Sequence, residues 1–237
     1  MVFAAGLGTR LRPLTDSRPK ALVEVEGRPL LWYVLHRLTQ AGFTRIVVNV
    51  HHFAEQIIDY VGQLNDSREF GPAVEVLVSD EREQLLETGG GVRRALPLFD
   101  QESPILIHNV DIFSNADLRG LYEASADADA VLLVSDRDST RRLVFADNLL
   151  QGWMNLTTGA TRGSIDGIRL AFAGLHVVSP TLFAELQRWP EERFSIIDFY
   201  LSVCQRYRLR PQIEDGLRLI DVGKPDTLRL ASEFLNY

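Results

Sequence analysis

Val2-Phe3-Ala4-Ala5-Gly6-Leu7-Gly8-Thr9-Arg10-Leu11-Arg12-Pro13-Leu14-Thr15 joins an apolar run to two glycines, hydroxyl side chains and two arginines. An apolar run stopped by Gly6 and Gly8 predicts a buried strand entering a tight turn. Glycine tolerates positive φ and close ligand approach, so such a loop can offer backbone N–H groups to a phosphate chain. Arg10 and Arg12 supply charge for phosphoryl oxygens, and Lys20, after Pro19, adds a third cation. The chain carries 25 Lys plus Arg against 32 Asp plus Glu, a formal net charge of -7, so this local cationic cluster stands out. Gly-x-x-x-x-Gly-Lys-Ser/Thr is absent, and Gly6-Leu7-Gly8 lacks the third glycine of the dinucleotide fingerprint, which excludes two familiar phosphate loops.

Downstream, apolar residues at Leu30, Leu31, Val34, Leu35 and Leu38 recur with helical period and stop at Ala41-Gly42. Arg45 to Val50 reads as a buried strand, and the alternation repeats. Ile57, Ile58, Val61 and Leu64 predict a helix, Val74 to Val78 a strand, Val92 to Leu98 a short helix, and Ile105 to Ile107 a strand. Val131 to Val134 is a further β-branched and leucine run. Strands without polar alternation are buried on both faces, which predicts a mainly parallel sheet in an α/β fold. After Asp136 the spacing changes: Arg142 to Phe145, Gly152 to Leu156 and Leu170 to Val178, joined by Asp-Asn and Gly turns, predict a small antiparallel insert. Phe183 with Leu186, Ile196 to Cys204 and a segment opened by Pro225 predict helices, and Leu217 to Ile220 a strand.

No Pro/Gly/Ser-rich linker divides the 237 residues, so one domain over 1–237 is expected, closed by a C-terminal helix. Scattered basic residues argue against a nucleic-acid partner, and no apolar run approaches the roughly 20 residues of a membrane span. The single cysteine, Cys204, forms no internal disulfide, which suits a reducing cytoplasm. A monomer or small homo-oligomer is expected.

Two further segments carry chemistry. Glu87-Thr88-Gly89-Gly90-Gly91 precedes a predicted helix, and its glycines let a flat base approach the backbone. Asp111 follows the strand Ile105 to His108, at the carboxyl end where α/β sheets bind ligands. Taken with the opening segment and Pro19-Lys20, these residues resemble the signature of the nucleotidyltransferase family that makes nucleotide sugars. The resemblance runs from Ala4 to Gly223 and implies a Rossmann-like three-layer αβα architecture of the GT-A-like nucleotidyltransferase type, with 1–136 as the nucleotide-binding part and 137–237 as the sugar-phosphate part and C-terminal helix.

It also implies roles. Arg10 contacts the departing pyrophosphate and Lys20 the transferring phosphoryl group. Ala4, Ala5, Gly6, Gly8 and Thr9 wrap the nucleoside triphosphate, while Thr88, Gly89 and Gly90 receive the base. Asp111 and Asp221 hold Mg²⁺, a hard cation that shares its oxygen shell with phosphate and water. Asn109, Asn155 and Gly174 lie on the sugar 1-phosphate side; for Gly174 itself, a strand bulge explains the residue equally well. Family members usually carry glycine where this chain has Val110. The Glu-Thr-Gly-Gly-Gly form is most similar to N-acetylmuramate-1-phosphate uridylyltransferases, so uridylyl transfer is expected ahead of guanylyl transfer to mannose or heptose 1-phosphate and cytidylyl transfer to phosphocholine.

Other patterns fit rival readings. Asp136-Arg137-Asp138 and Asp127-Ala128-Asp129 have the Asp-x-Asp form of metal-dependent glycosyltransferases, though neighbouring aspartates usually mark solvated turns. A non-catalytic nucleotide-sugar sensor would share the loops without the reaction. His51-His52 is unsuited to joint metal ligation because adjacent residues of an extended chain face opposite ways. Trp153 reads as a packed aromatic and Asp198 as a first-turn helix residue.

Overall fold

The computed structural model describes residues 1–235. After β1 (Val2–Phe3) comes a long loop containing two 3-10 turns, Thr9–Leu11 and Lys20–Leu22, and a hairpin of β2 (Glu24–Val25) and β3 (Arg28–Pro29). The alternating part follows: α1 (Leu30–Gln40), β4 (Arg45–Val50), α2 (Ala54–Ser67), β5 (Glu75–Asp80), α3 (Glu87–Ala95), β6 (Ile105–Asn109), β7 (Ile112–Ser114), α4 (Leu118–Glu123) and β8 (Ala130–Ser135). Next come β9 (Arg141–Ala146), β10 (Leu149–Asn155), β11 (Thr161–Gly163) and the long β12 (Ile168–Val178). The chain then forms α5 (Phe183–Arg188), α6 (Ile196–Val203), β13 (Leu209–Ile213), β14 (Leu219–Asp221) and α7 (Pro225–Leu235).

Strands β6, β1, β4 and β5 pair in parallel, β12 runs antiparallel beside β6, and β8 and β13 extend the sheet beyond it. The outer half of β12 pairs with β9, which continues through β10 to β11, forming the antiparallel insert. Apolar side chains fill both faces. One core packs Val2, Ile46, Val48 and Val50 under α1, α2, α4 and α7; the other packs Val47, Ile107 and Leu132 under α3, α5 and α6. This is the three-layer αβα arrangement with a mixed, mainly parallel sheet.

Differences from the expected elements have local causes. Helix α3 begins at Glu87, not Val92, because the 192–195 strap captures its first turn: Gly89 N–H and Gly90 N–H donate to the Phe194 carbonyl at 2.8 and 3.3 Å. A Cβ on Gly89 would strike the Phe194 ring and one on Gly90 the Glu192 carbonyl, so these glycines allow the strap to close. Strand β13, whose Pro211 and charged neighbours mask its period, forms by pairing with β8 at the sheet edge. The predicted strand over Leu217 to Ile220 is displaced to β14, which pairs with β7 outside the main sheet. In β12, the register shifts between Phe172 and His176, and Gly174 takes φ 79° there, so a strand bulge accounts for this glycine.

Two histidines lie in this core. His108 and His176 are each 1% exposed, with His176 Nδ1 2.5 Å from the Tyr200 hydroxyl. Burial pushes the His108 pKa down from 6.5 to about 4 and that of His176 to about 3. Unfolded histidines take up protons near pH 6.5 and the folded ones do not, so their contribution is complete above pH 6.5 and is lost as pH falls. Chemical denaturation at stepped pH should therefore show stability dropping below 6.5, by up to about 1.4 kcal/mol per pH unit for each histidine. His176→Phe should flatten that slope by about half its histidine part, and an unaltered slope would refute the assignment.

Candidate active site

The site forms at the carboxyl ends of β1, β4 and β6. A cavity of about 360 Å³ lies there, lined by Ala4, Ala5, Gly6, Lys20, Asn49, Leu85, Glu87, Thr88, Asn109, Val110, Asp111 and Ser195. A larger cavity of about 440 Å³, lined by Phe43, Arg45, Ser103, Ile105 and Tyr122, reaches the opposite, amino ends of β4 and β6 and holds none of the predicted site residues.

Asn49 joins the two glycine-rich elements. It is the lone side-chain amide in an apolar strand and is 2% exposed. Its Oδ1 accepts from Ala4 N–H at 2.7 Å and Ala5 N–H at 3.3 Å, and its Nδ2 donates to Glu81 Oε1 at 2.8 Å. Glu81, also 2% exposed, accepts the Leu86 N–H at 3.4 Å, just before α3. Burial raises its pKa, while the bonds from Asn49 and Leu86 oppose that rise. Gly91 leaves the room both need: a Cβ there would lie 2.9 Å from Glu81 Oε1 and 3.0 Å from Asn49 Nδ2.

In the opening loop, then, the Ala4 and Ala5 amides are engaged by Asn49, whereas those of Gly6, Leu7 and Gly8 have no partner among the described residues. Gly8 has φ 66°, and its carbonyl accepts from Leu11 N–H at 2.9 Å and Thr15 Oγ1 at 2.8 Å, which folds Thr9 and Arg10 into a 3-10 turn. Successive unengaged amides beside a left-handed glycine form a concavity suited to phosphate oxygens.

The predicted charges converge. Lys20 Nζ is hydrogen-bonded to Asp111 Oδ2, and Arg10 spans both aspartates, with Nη2 3.8 Å from Asp111 Oδ2 and Nη1 3.5 Å from Asp221 Oδ2. Asp221 arrives from β14 and is oriented by the Gly223 N–H at 2.8 Å, and Val222 N–H donates to the Asp111 carbonyl at 2.9 Å. Among the described residues no group of three or more His, Cys, Asp or Glu is arranged to hold a metal ion. A pair of carboxylates now neutralised by two cations fits a hard divalent ion that completes its shell with phosphate oxygens and water. Lys20 and Lys224 are the only lysines in a chain that otherwise uses arginine. At position 20 the side chain is 12% exposed and meets Asp111 with a compact ammonium, a point charge where arginine would bring a planar fork.

Other predicted residues sit apart from this centre. Arg12 turns outward to Asp16 at 3.4 Å. The Thr88 hydroxyl accepts the Ile196 N–H at 2.9 Å at the start of α6, so it anchors the strap as well as lining the cavity. Asn109 lines the cavity, and its amide packs on Gly174, where a Cβ would lie 2.7 Å from Nδ2. Asn155 uses Oδ1 to accept from Thr157 and Thr158 N–H in its own hairpin turn. Val110 is 4% exposed and walls the cavity. Asp136 and Asp138 are exposed, His51 holds the Glu81 carbonyl at 2.7 Å, and Asp198 pairs with Arg162, which also covers the Trp153 ring at 4.4 Å.

The family described as Nucleotidyl transferase matches residues 1–142. N-acetylmuramate alpha-1-phosphate uridylyltransferase of Caulobacter vibrioides is 34% identical over 98% of this chain and 94% of its own length. The chain belongs to the nucleotidyl transferase family. The enzyme of the same description from Neisseria meningitidis is 41% identical over 53% of this chain and 52% of its own. The solved UDP-glucose pyrophosphorylase of Acinetobacter baumanii superposes with a TM-score of 0.78 at 20% identity, covering 98% of this chain and 90% of that one, a likeness of fold. Within this nucleotidyl transferase, Asn49, Glu81, Leu85 and Ser195 escaped the motif reading. Asn49 had one signal, a polar residue inside Val47-Val48-Asn49-Val50; Ser195 had none, because only folding brings it to α3.

Gly223 supplies a sharp test. A Cβ there would lie 2.7 Å from Asp221 Oδ1, 2.8 Å from Arg10 Nη2 and 3.1 Å from Lys20 Nζ, all ends of side chains able to move. Gly223→Ala should leave the melting temperature within a few degrees but lower kcat at least about tenfold, roughly 1.4 kcal/mol in barrier. Full activity in that variant would show that the charged cluster tolerates displacement.

Proposed function

We propose that the chain transfers a uridylyl group from UTP to N-acetylmuramate 1-phosphate, releasing pyrophosphate, with Mg²⁺ at Asp111 and Asp221. The observation that carries the reading is the meeting of Arg10, Lys20, Asp111 and Asp221 at the mouth of the cavity. The full-length similarity to the Caulobacter vibrioides enzyme supports the choice of base and sugar. In this reading residues 1–136 bind the nucleotide and 137–237 serve the acceptor, except that Asp221 returns to the metal. The single cysteine, buried Cys204, agrees with the reducing cytoplasm in which we locate the enzyme.

The acceptor phosphate is ionised at neutral pH, so no general base is required, and the chain contributes position and charge. Gly6 to Gly8 amides hold phosphate oxygens. Arg10, with its side chain 53% exposed, swings from the aspartates to the leaving pyrophosphate, while enclosed Lys20 stays against the transferring phosphoryl group. Bound Mg²⁺ would offset phosphate charge between the two carboxylates. Leu85 and Val110 exclude water around the base and sugar.

Pyrophosphate release measured for UTP, GTP, CTP and TTP against N-acetylmuramate, N-acetylglucosamine, glucose and mannose 1-phosphates should give the highest kcat/KM for UTP with the first acceptor, by at least about tenfold. A different best pair would reassign the substrate, and silence across the panel would overturn the transferase reading. Lys20→Ala and Lys20→Arg should both lose turnover by about a hundredfold or more, with triphosphate KM changed only modestly. Retained turnover in the arginine variant would remove the requirement for a compact charge.

A further inference from the structure

Arg137 is the middle residue of Asp136-Arg137-Asp138, directly after β8. While both aspartates are exposed, the arginine is half-buried. Its Nη2 donates to the Phe172 carbonyl at 3.0 Å, its Nη1 only grazes the Asp138 carbonyl at 3.5 Å, and its Nε is buried with no partner. No carboxylate among the described residues lies within ion-pair distance of it. Burial pulls its pKa down, the more distant Asp221 carboxylate opposes this, and the neighbouring Arg142 guanidinium adds to it. Arg142 is tied into the same loop, with Nε 3.1 Å from the Ser139 carbonyl and Nη1 3.3 Å from that of Asp136. A half-buried cation facing a second cation, with donors unengaged, is an unfavourable arrangement that an anion would relieve.

The sheet order says which anion. In-line transfer brings the incoming and outgoing groups to opposite sides of the reacting phosphorus. The outgoing pyrophosphate lies with the opening loop after β1, so the incoming oxygen comes from the other side of β6. There the order is β6, β12, β8, and Arg137 stands at the end of β8, reaching over β12 where the bulge at Gly174 approaches Asn109. We propose that Arg137 receives the phosphate of the incoming sugar 1-phosphate, holding its nucleophilic oxygen in line with the triphosphate. This rests on the transferase reading above and adds to it the acceptor-side cation.

The test separates the two substrates. In Arg137→Met, which keeps length and loses charge, KM for the sugar 1-phosphate should rise at least about tenfold while KM for the triphosphate stays within about twofold and the melting temperature within a few degrees. Arg137→Lys should recover part of the loss. If Arg137 merely braces the Phe172 carbonyl, both Michaelis constants will move together with the melting temperature, or neither will move, and either result overturns the proposal. Should the parent release no pyrophosphate with any pair, the transferase reading fails, and calorimetry with glucose 1-phosphate then decides for Arg137. Binding lost in Arg137→Met sustains an anion site; equal binding, or none by the parent, ends it.

Discussion

The side chain of Asn49 ties the opening loop to α3, the two glycine-rich elements that we propose hold the nucleotide. One amide group accepts from Ala4 and Ala5 and donates to Glu81, and Glu81 in turn accepts from the start of α3. Ala4, Ala5, Asn49 and Glu81 are buried, so each bond among them left unmade would carry a desolvation cost of about 1–3 kcal/mol. The arrangement sets the opening loop at a fixed distance from α3 and leaves the Gly6 to Gly8 amides unengaged at the rim. It also favours glycine at position 91, since a Cβ there would press on the Asn49–Glu81 contact.

A second constraint is electrostatic. Two aspartates brought together from the turn after β6 and from β14 would repel each other, and Arg10 and Lys20 relieve that repulsion. The chain thus holds its reactive charges against one another. Phosphate groups and a divalent ion would substitute for the same contacts, carboxylates turning to metal and cations to phosphoryl oxygen. Gly223, between Asp221, Arg10 and Lys20, keeps the space in which that exchange would take place. Arg137 stands outside this balanced cluster, with its buried Nε lacking a partner.

Much of the fold was legible because buried parallel strands need continuous apolar runs and their covering helices need a 3.6-residue stripe. Val47, Val48, Ile107 and Leu132 announce themselves in this way, as do Leu31, Val34, Leu35 and Leu38 of α1. Less legible were elements formed by partners instead of by period. Strand β13 exists because β8 offers an unpaired edge, and the first turn of α3 because the strap supplies carbonyls to glycines that are poor helix formers on their own. The Glu87 to Gly91 segment therefore reads in sequence as a loop and folds as a helix start.

Motif and hydrophobic period alone carry the family, the α/β architecture and the charged quartet of Arg10, Lys20, Asp111 and Asp221, because short motifs report local chemistry and hydrophobic period reports burial. Folding in three dimensions selects which amides of the opening loop remain unengaged, turns Arg12 away and has Asn155 close its own turn. It likewise brought Ser195 and Glu81 to α3 and turned Arg137 inward between two exposed aspartates. Those outcomes depend on residues distant in the chain competing for the same donors, acceptors and space, and a linear pattern carries no record of that competition.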